Sequence, residues 1–358
     1  MQKTAAIITC IGKSNFGNRL QNYALQKVLQ DKGFHVETLI NTSLLNNIDN
    51  FDESLKEYET YKVEKEKRDY ENRHRIAYFE DFDQNVVFAE DFITAKNLPE
   101  TNYDYYVVGS DQIWNPFHGK LRDLDLLYCI DPSKRISYAA SIGIDEIPED
   151  FKEKTKKEIS KFKAISVRED KGKEILEELT GRQDIQVNLD PTMLLTDKEW
   201  SKLAKRPKQL KTDKYILNYF LGKLSPEREA EIERIAQENN CEIINILDKE
   251  GPFYETGPSE FLYLEQNAFL ICTDSFHSSV FALLFNRPFI IFNREDNQAS
   301  MNSRLETLVN TFKLENRNYD KKITEANLSH DYTNAYKILE EERNKAHNYL
   351  KEALDINE

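Results

Sequence analysis

A chain of 358 residues exceeds what one hydrophobic core ordinarily organises, so two domains of roughly 150 to 190 residues are expected. Hydrophobic residues at 39%, with 18 Tyr and 20 Phe, exclude a disordered chain, and 31% charged residues fit a soluble globular one. A net charge of −14 excludes nonspecific nucleic-acid binding, which needs a basic face, so an anionic substrate has to be held by a few placed Arg, Lys or helix N-termini.

No apolar run approaches the roughly 20 residues of a membrane span, and the start MQKTAAIITCIG lacks a cleavable signal pattern, so a cytoplasmic location is expected. Peripheral attachment at the inner face of a membrane stays open. Cys10, Cys129, Cys241 and Cys272 are far apart and three sit in apolar runs. They read as core thiols, with neither a zinc cluster nor a disulfide framework indicated.

In chain order, Ala5 to Ile11 predicts a short buried strand. The stretch GKSNFGNRLQNYALQKVLQDKG then turns at Gly12 and Gly17 and enters a helix closed by Gly33. The glycine spacing is not that of a dinucleotide fingerprint, so no nicotinamide cofactor is expected. Asn18 and Arg19 stand at the loop-to-helix edge, where they could meet a carboxylate or phosphate or serve as capping and surface residues. HVETLIN predicts a second strand. From about 44 to 92 the chain becomes charged and aromatic, which predicts helix with a solvated face.

YDYYVVGSDQIW, residues 103–114, predicts a strand opening into Gly109, Ser110, Asp111 and Gln112; glycine at a strand end admits a ligand or another backbone. ISYAASIG ends near Ser141, and AISVREDKG presents Arg168 just after a strand. A salt bridge to Glu169 or Asp170 is the plain alternative for Arg168, weakened because neighbours on an extended strand point apart. VNLDPTMLLT gives turn chemistry at Asp190 and Pro191, at an expected domain junction.

The pattern then restarts with YILNYFLG, the helix after Ser225, CEIINIL and PSEFLYLEQN. FLICTDSFHSSVFALLFNRPFIIFN follows as strand, helix, strand. Asp274 or Ser275 is the expected cap, which leaves His277 in the first turn with Ser278 and Ser279 beside it. A helix start offers backbone N–H groups and positive dipole to an anion; the bland alternative is a polar first-turn histidine with no further role. Arg294 and Arg304 lie beyond the last strand, and residues 329–358 predict a charged C-terminal helix that crosses back onto the first domain.

Taken together, GNRLQNYALQ, YDYYVVGSDQIW, YAASIG, SVREDKG, NLDPTMLL and TDSFHSSVFALLFNRPFIIF resemble the polysaccharide pyruvyl transferase family, in order from about residue 5 to about 310. The resemblance implies an α/β fold: two doubly wound Rossmann-like domains, 1–190 and 191–328, facing a central cleft in the glycosyltransferase-B manner, with 329–358 as the terminal helix. It also implies transfer of pyruvate from phosphoenolpyruvate to a sugar of a cell-surface glycan precursor as a ketal, without cofactor or metal. The functional pair of the family matches His277 and Arg168. Where relatives carry a lysine, this chain has Asn297 nearby, so Arg294 or Arg304 would supply the charge. Asn18, Arg19, Ser275, Ser278, Arg294 and Arg304 are the donor-binding candidates; Asp111, Gln112 and Ser141 are the candidates for orienting acceptor hydroxyls. The acceptor is a sugar, lipid-linked in one version, with no nucleic acid and no membrane span. Two alternatives stand beside this reading: a glycosyltransferase using a nucleotide sugar, which binds a nucleoside diphosphate without competition from phosphoenolpyruvate, and a catalytically silent glycan-binding protein, for which His277 is dispensable.

Overall fold

The computed structural model describes residues 2–118, 121–294 and 303–356. It divides into two compact units. The first holds the chain up to Ile76, Asp83–Leu194 and the residues from Glu342 onward; the second holds Ala77–Phe82 and Leu195–Glu341.

The first unit is built from β1 (Thr4–Ile8), α1 (Phe16–Asp31), β2 (His35–Asn41), α2 (Phe51–Glu71), the two ends of α3 (Arg73–Asp83), whose residues Ala77–Phe82 count with the second unit, β3 (Phe88–Ile93), β4 (Tyr105–Val108), β5 (Arg135–Ala140), α4 (Glu149–Ile159), β6 (Ala164–Val167), α5 (Asp170–Thr180) and β7 (Gln186–Val187). Its seven strands run in the order β3-β2-β1-β4-β5-β6-β7, and every pairing is parallel. Parallel strands are covered on both faces, which is why TAAII and YYVV carry apolar residues at successive positions instead of alternating. Helix α1 buries Leu20, Ala24, Leu25, Val28 and Leu29 at helical spacing. The side chain of Asn15 caps it by accepting from the Asn18 N–H at 3.3 Å. Gly33, at φ +91, closes it. Gly17 lies inside the first turn of α1, so only Gly12 belongs to the loop where both glycines were expected.

The charged segment differs in part from expectation. α2 and α3 are helical, and of α2 only Phe51 and Ser54 are buried. Residues Phe88–Ile93 are instead the edge strand of the sheet. Glu90 and Asp91 are exposed there, and charge on an edge strand looks in sequence like the solvated face of a helix.

The second unit contains α6 (Asp197–Ser201), β8 (Tyr215–Tyr219), α7 (Pro226–Asn239), β9 (Glu242–Asn245), α8 (Pro258–Asn267), β10 (Leu270–Thr273), α9 (Phe276–Leu284), β11 (Phe289–Ile291), α10 (Ser303–Phe312) and α11 (Glu325–Leu328). Its sheet is parallel in the order β11-β10-β8-β9. Every residue of α9 is buried, as a helix apolar on all sides must be. The C-terminal helix α12 (Thr333–Ala353) begins in the second unit and ends in the first, where the Tyr349 hydroxyl donates to the Ser137 carbonyl at 2.6 Å. Both units are doubly wound Rossmann-like α/β. Among the described residues no helix is long and apolar enough to cross a membrane.

Candidate active site

In the first sheet the strand order reverses between β1 and β4, and in open α/β sheets ligands bind beyond the carboxyl ends of the strands at such a point. β4 runs out at Gly109, whose φ is +132 and where a Cβ would lie 2.0 Å from the Tyr138 carbonyl oxygen. The close approach read from sequence is therefore that of another backbone, the one belonging to β5. The turn delivers Ser110 and Asp111. Arg168, immediately after β6, reaches the exits of the adjacent β7 and of β4, two strands away: its Nη1 is 2.7 Å from Asp190 Oδ2 and its Nη2 is 3.2 Å from Asp111 Oδ1. Asp111 Oδ2 accepts from Asn18 Nδ2 at 2.5 Å, and Asp190 Oδ1 accepts from the Thr192 N–H and hydroxyl at 3.0 and 2.7 Å. Burial alone would lower the pKa of Arg168; Asp111, Asp190 and Glu169 outweigh it and hold the guanidinium more firmly charged than usual.

Glu169 turns the other way. Its Oε1 accepts from the Ser141 hydroxyl at 3.1 Å and from the N–H groups of Ile142 and Gly143 at 2.8 and 2.9 Å. This ties the exit of β5 to that of β6. One buried guanidinium thus stands among three carboxylates.

In the second sheet the order reverses between β8 and β10. Asp274, directly after β10, accepts from the N–H groups of Leu221 and Gly222 beyond β8, each at 2.7 Å. Arg294 Nε lies 3.2 Å from the same carboxylate. Asp274 therefore stitches the switch point together and does not cap α9. Ser275 occupies the N-cap position, but its side chain makes no capping bond, so the first-turn N–H groups are not closed off by it. His277 sits in that first turn with 6% exposure. Ser278 beside it lies 2.5 Å, oxygen to oxygen, from Glu265 Oε1 on α8. Burial drives the Glu265 carboxyl well above the usual range, against a smaller lowering by Ser278.

Several candidates read from sequence are committed elsewhere. Arg168, half of the expected functional pair, has both Nη atoms engaged, one by Asp190 beyond the adjacent β7 and one by Asp111 beyond β4, two strands away. Neither of these partners is the Glu169 or Asp170 weighed from sequence. Arg19 is buried against Asp83, with Nε 2.7 Å from Oδ1, and lies over the Phe88 ring at 5.0 Å. Burial lowers its pKa and Asp83 partly restores it. Ser141 points to Glu169 and Ser278 to Glu265. Gln112 keeps a buried Nε2 with no hydrogen-bond partner among the described residues. Arg304 lies buried in the first turn of α10. Asn297, near the family lysine, lies outside the described residues.

Sequence reasoning missed two residues. Asp190 was taken for a turn former, which its Oδ1 is, while Oδ2 carries the ion pair. Glu265 follows Phe261 by four positions, so a carboxylate on the apolar stripe of α8 was the available signal.

The arrangement can be compared with known proteins. A Listeria monocytogenes protein assigned as a UDP-N-acetylglucosamine 2-epimerase superposes with a TM-score of 0.56 at 13% identity, covering 100% of this chain and 98% of its own. A UDP-N-acetylglucosamine 2-epimerase from Rickettsia bellii gives 0.49 at 12% identity, covering 99% and 98%. The first likeness places the fold in the glycosyltransferase-B-like class. No curated protein sequence matches the chain. The family model for polysaccharide pyruvyl transferase matches residues 15–297, and the chain belongs to that family.

Proposed function

We propose that this protein transfers pyruvate from phosphoenolpyruvate to a sugar as a ketal, releasing phosphate. The observation that supports this best is the placement of His277 in the first turn of α9, beyond the carboxyl ends of β8 and β10, in a chain of this family. In this reading phosphate and carboxylate of the donor are held by the N-terminal N–H groups of α9 and by Arg294 or Arg304. A proton is added to the donor methylene, which makes the adjacent carbon electrophilic. A sugar hydroxyl adds to that carbon and gives up its proton, phosphate departs with the C–O bonding pair, and a second hydroxyl closes the ketal as its proton leaves. Histidine suits proton transfers near neutral pH, and His277 is assigned that work. Arg168, held between two carboxylates, acts by fixing Asp111 rather than by clamping the donor. Gln112, with Nε2 uncommitted, is the best placed of Asp111, Gln112 and Ser141 to meet a neutral hydroxyl.

The test is phosphate release from phosphoenolpyruvate with a panel of galactosyl, mannosyl and N-acetylhexosaminyl acceptors, beside thermal shifts with phosphoenolpyruvate and with a nucleotide sugar. His277→Ala is expected to lower kcat by roughly 10²- to 10⁴-fold with donor affinity little changed. Near-normal turnover by that variant would remove the role given to His277. The fold shared with a protein assigned as acting on UDP-N-acetylglucosamine favours a nucleotide-sugar transferase as the second reading. A thermal shift with the nucleotide sugar and none with phosphoenolpyruvate would select it.

A further inference from the structure

We propose that Glu265 is a positioning residue for His277, acting through its hydrogen bond to Ser278. The inference rests on the role given to His277 above.

The entry of α9 lacks the usual local lock. Ser275 stands at the N-cap without a side-chain bond, and the Ser279 hydroxyl donates back to the Ser275 carbonyl at 3.0 Å. Such back-bonding loosens and bends helices. Asp274 anchors the chain just before the helix, and the restraint within the first turn comes from the neighbouring helix. Glu265 on α8 and Ser278 on α9 are both fully buried, and their oxygens are 2.5 Å apart. Ser278 follows His277 directly, so fixing its rotamer fixes the rotation of the first turn and with it the direction of the His277 Cα–Cβ bond.

The arrangement is poor for stability. Glu265 Oε2 is buried with no hydrogen-bond partner among the described residues, and a buried polar atom left unmatched is a standing cost. A carboxyl that costs stability and grips the residue next to the candidate proton carrier fits the trade of stability for site geometry.

The two properties are expected to separate in Glu265→Leu. Its Tm should match the wild type or exceed it by about 2–4 °C. Its kcat for phosphate release should fall about tenfold or more with KM for phosphoenolpyruvate little changed, since small misplacements of a reacting group are costly in rate. Glu265→Gln, which still bonds Ser278, should retain turnover. Ser278→Ala should lose as much as Glu265→Leu, and the double variant no more than either. A second readout does not depend on the reaction: the imidazole resonances of His277, assigned by their loss in His277→Ala, should shift in Glu265→Leu and return in Glu265→Gln. A wild type that releases no phosphate defeats the pyruvyl-transfer reading while the resonances still test the positioning. Unshifted His277 signals with wild-type kcat in Glu265→Leu, or a Gln variant as impaired as Leu, overturns the proposal. Should the Leu protein fail to fold, unchanged turnover and signals in Ser278→Ala overturn it equally.

Discussion

Arg168→Met strands the two carboxylates that the guanidinium now joins. The Arg168 side chain is 1% exposed, and those of Asp111 and Asp190 are 8% and 0% exposed. Solvent therefore screens the triad little, and removing the cation leaves two charges to be neutralised where water does not reach. Breaking a buried pair by deleting one member costs about 3–5 kcal/mol. Part of that cost is offset, because Asn18 still donates to Asp111 and Thr192 to Asp190, so a value near the lower end, about 3 kcal/mol, is expected. At roughly 2–4 °C per kcal/mol for a domain of this size, Tm should drop by about 6–12 °C. Arg168→Lys keeps the charge but cannot span both aspartates with a planar fork, and should fall between. Arg168→Met combined with Asp190→Asn should recover part of the loss, since one stranded charge is gone. The measurements are urea unfolding and thermal scans of the four proteins at one pH. A deficit below about 1 kcal/mol for Arg168→Met, the level of an exposed pair, would refute the reasoning.

Three further outcomes follow from the same structure. Burial holds the Glu265 pKa above its unfolded value, so the native state keeps a proton that the unfolded state releases. This contribution is fully present below about pH 4.3 and is lost as pH rises toward the folded pKa, by up to about 1.4 kcal/mol per unit. The stability advantage of Glu265→Gln over the wild type should therefore widen from pH 5 to 8 in urea titrations. Glu158 has the opposite sign: burial raises its pKa, but Lys161 and Arg135 outweigh that and lower it. Its contribution is present above about pH 4.3 and lost as pH falls toward the folded value, so Glu158→Gln should flatten the acid limb of the stability curve. Gly109→Ala should destabilise by well over about 1 kcal/mol, whereas Gly12→Ala, with nothing within 4 Å, should stay within about 1 kcal/mol of the wild type in the same assay.

The strands were legible because parallel sheets need unbroken apolar runs, and AAII, YYVV and LICT are such runs. Helix α1 was legible from its apolar spacing and Gly33. β3 was not, because an edge strand with Glu90 and Asp91 exposed has no apolar run to show. At the candidate site, sequence located the strand exits but not the partners. That Arg168 follows a strand can be read locally; that Asp111 and Asp190 flank it depends on β4, β5, β6 and β7 lying in that order in one sheet, which brings together residues 57 and 22 positions away. Ser278 looked like a ligand-facing serine for the same reason: its partner Glu265 is on another helix.

The strand exits at the two switch points, the crowns of the two sheets, differ in charge more than in residue identity. Both sheets place an aspartate at the switch point, Asp111 after β4 and Asp274 after β10, and both are used for assembly. What surrounds them differs. The first crown sets one guanidinium against three carboxylates, Asp111, Asp190 and Glu169, so an incoming phosphate or carboxylate meets net repulsion there. A neutral hydroxyl does not, and Gln112 Nε2 there has no hydrogen-bond partner among the described residues. The second crown balances Asp274 with Arg294 and adds the positive end of α9, whose N-cap side chain makes no capping bond. Net positive potential at backbone donors is what an anion requires. At the first crown the charge of Arg168, an arginine beyond a parallel strand, is already committed to Asp111 and Asp190, and it holds the strand exits together.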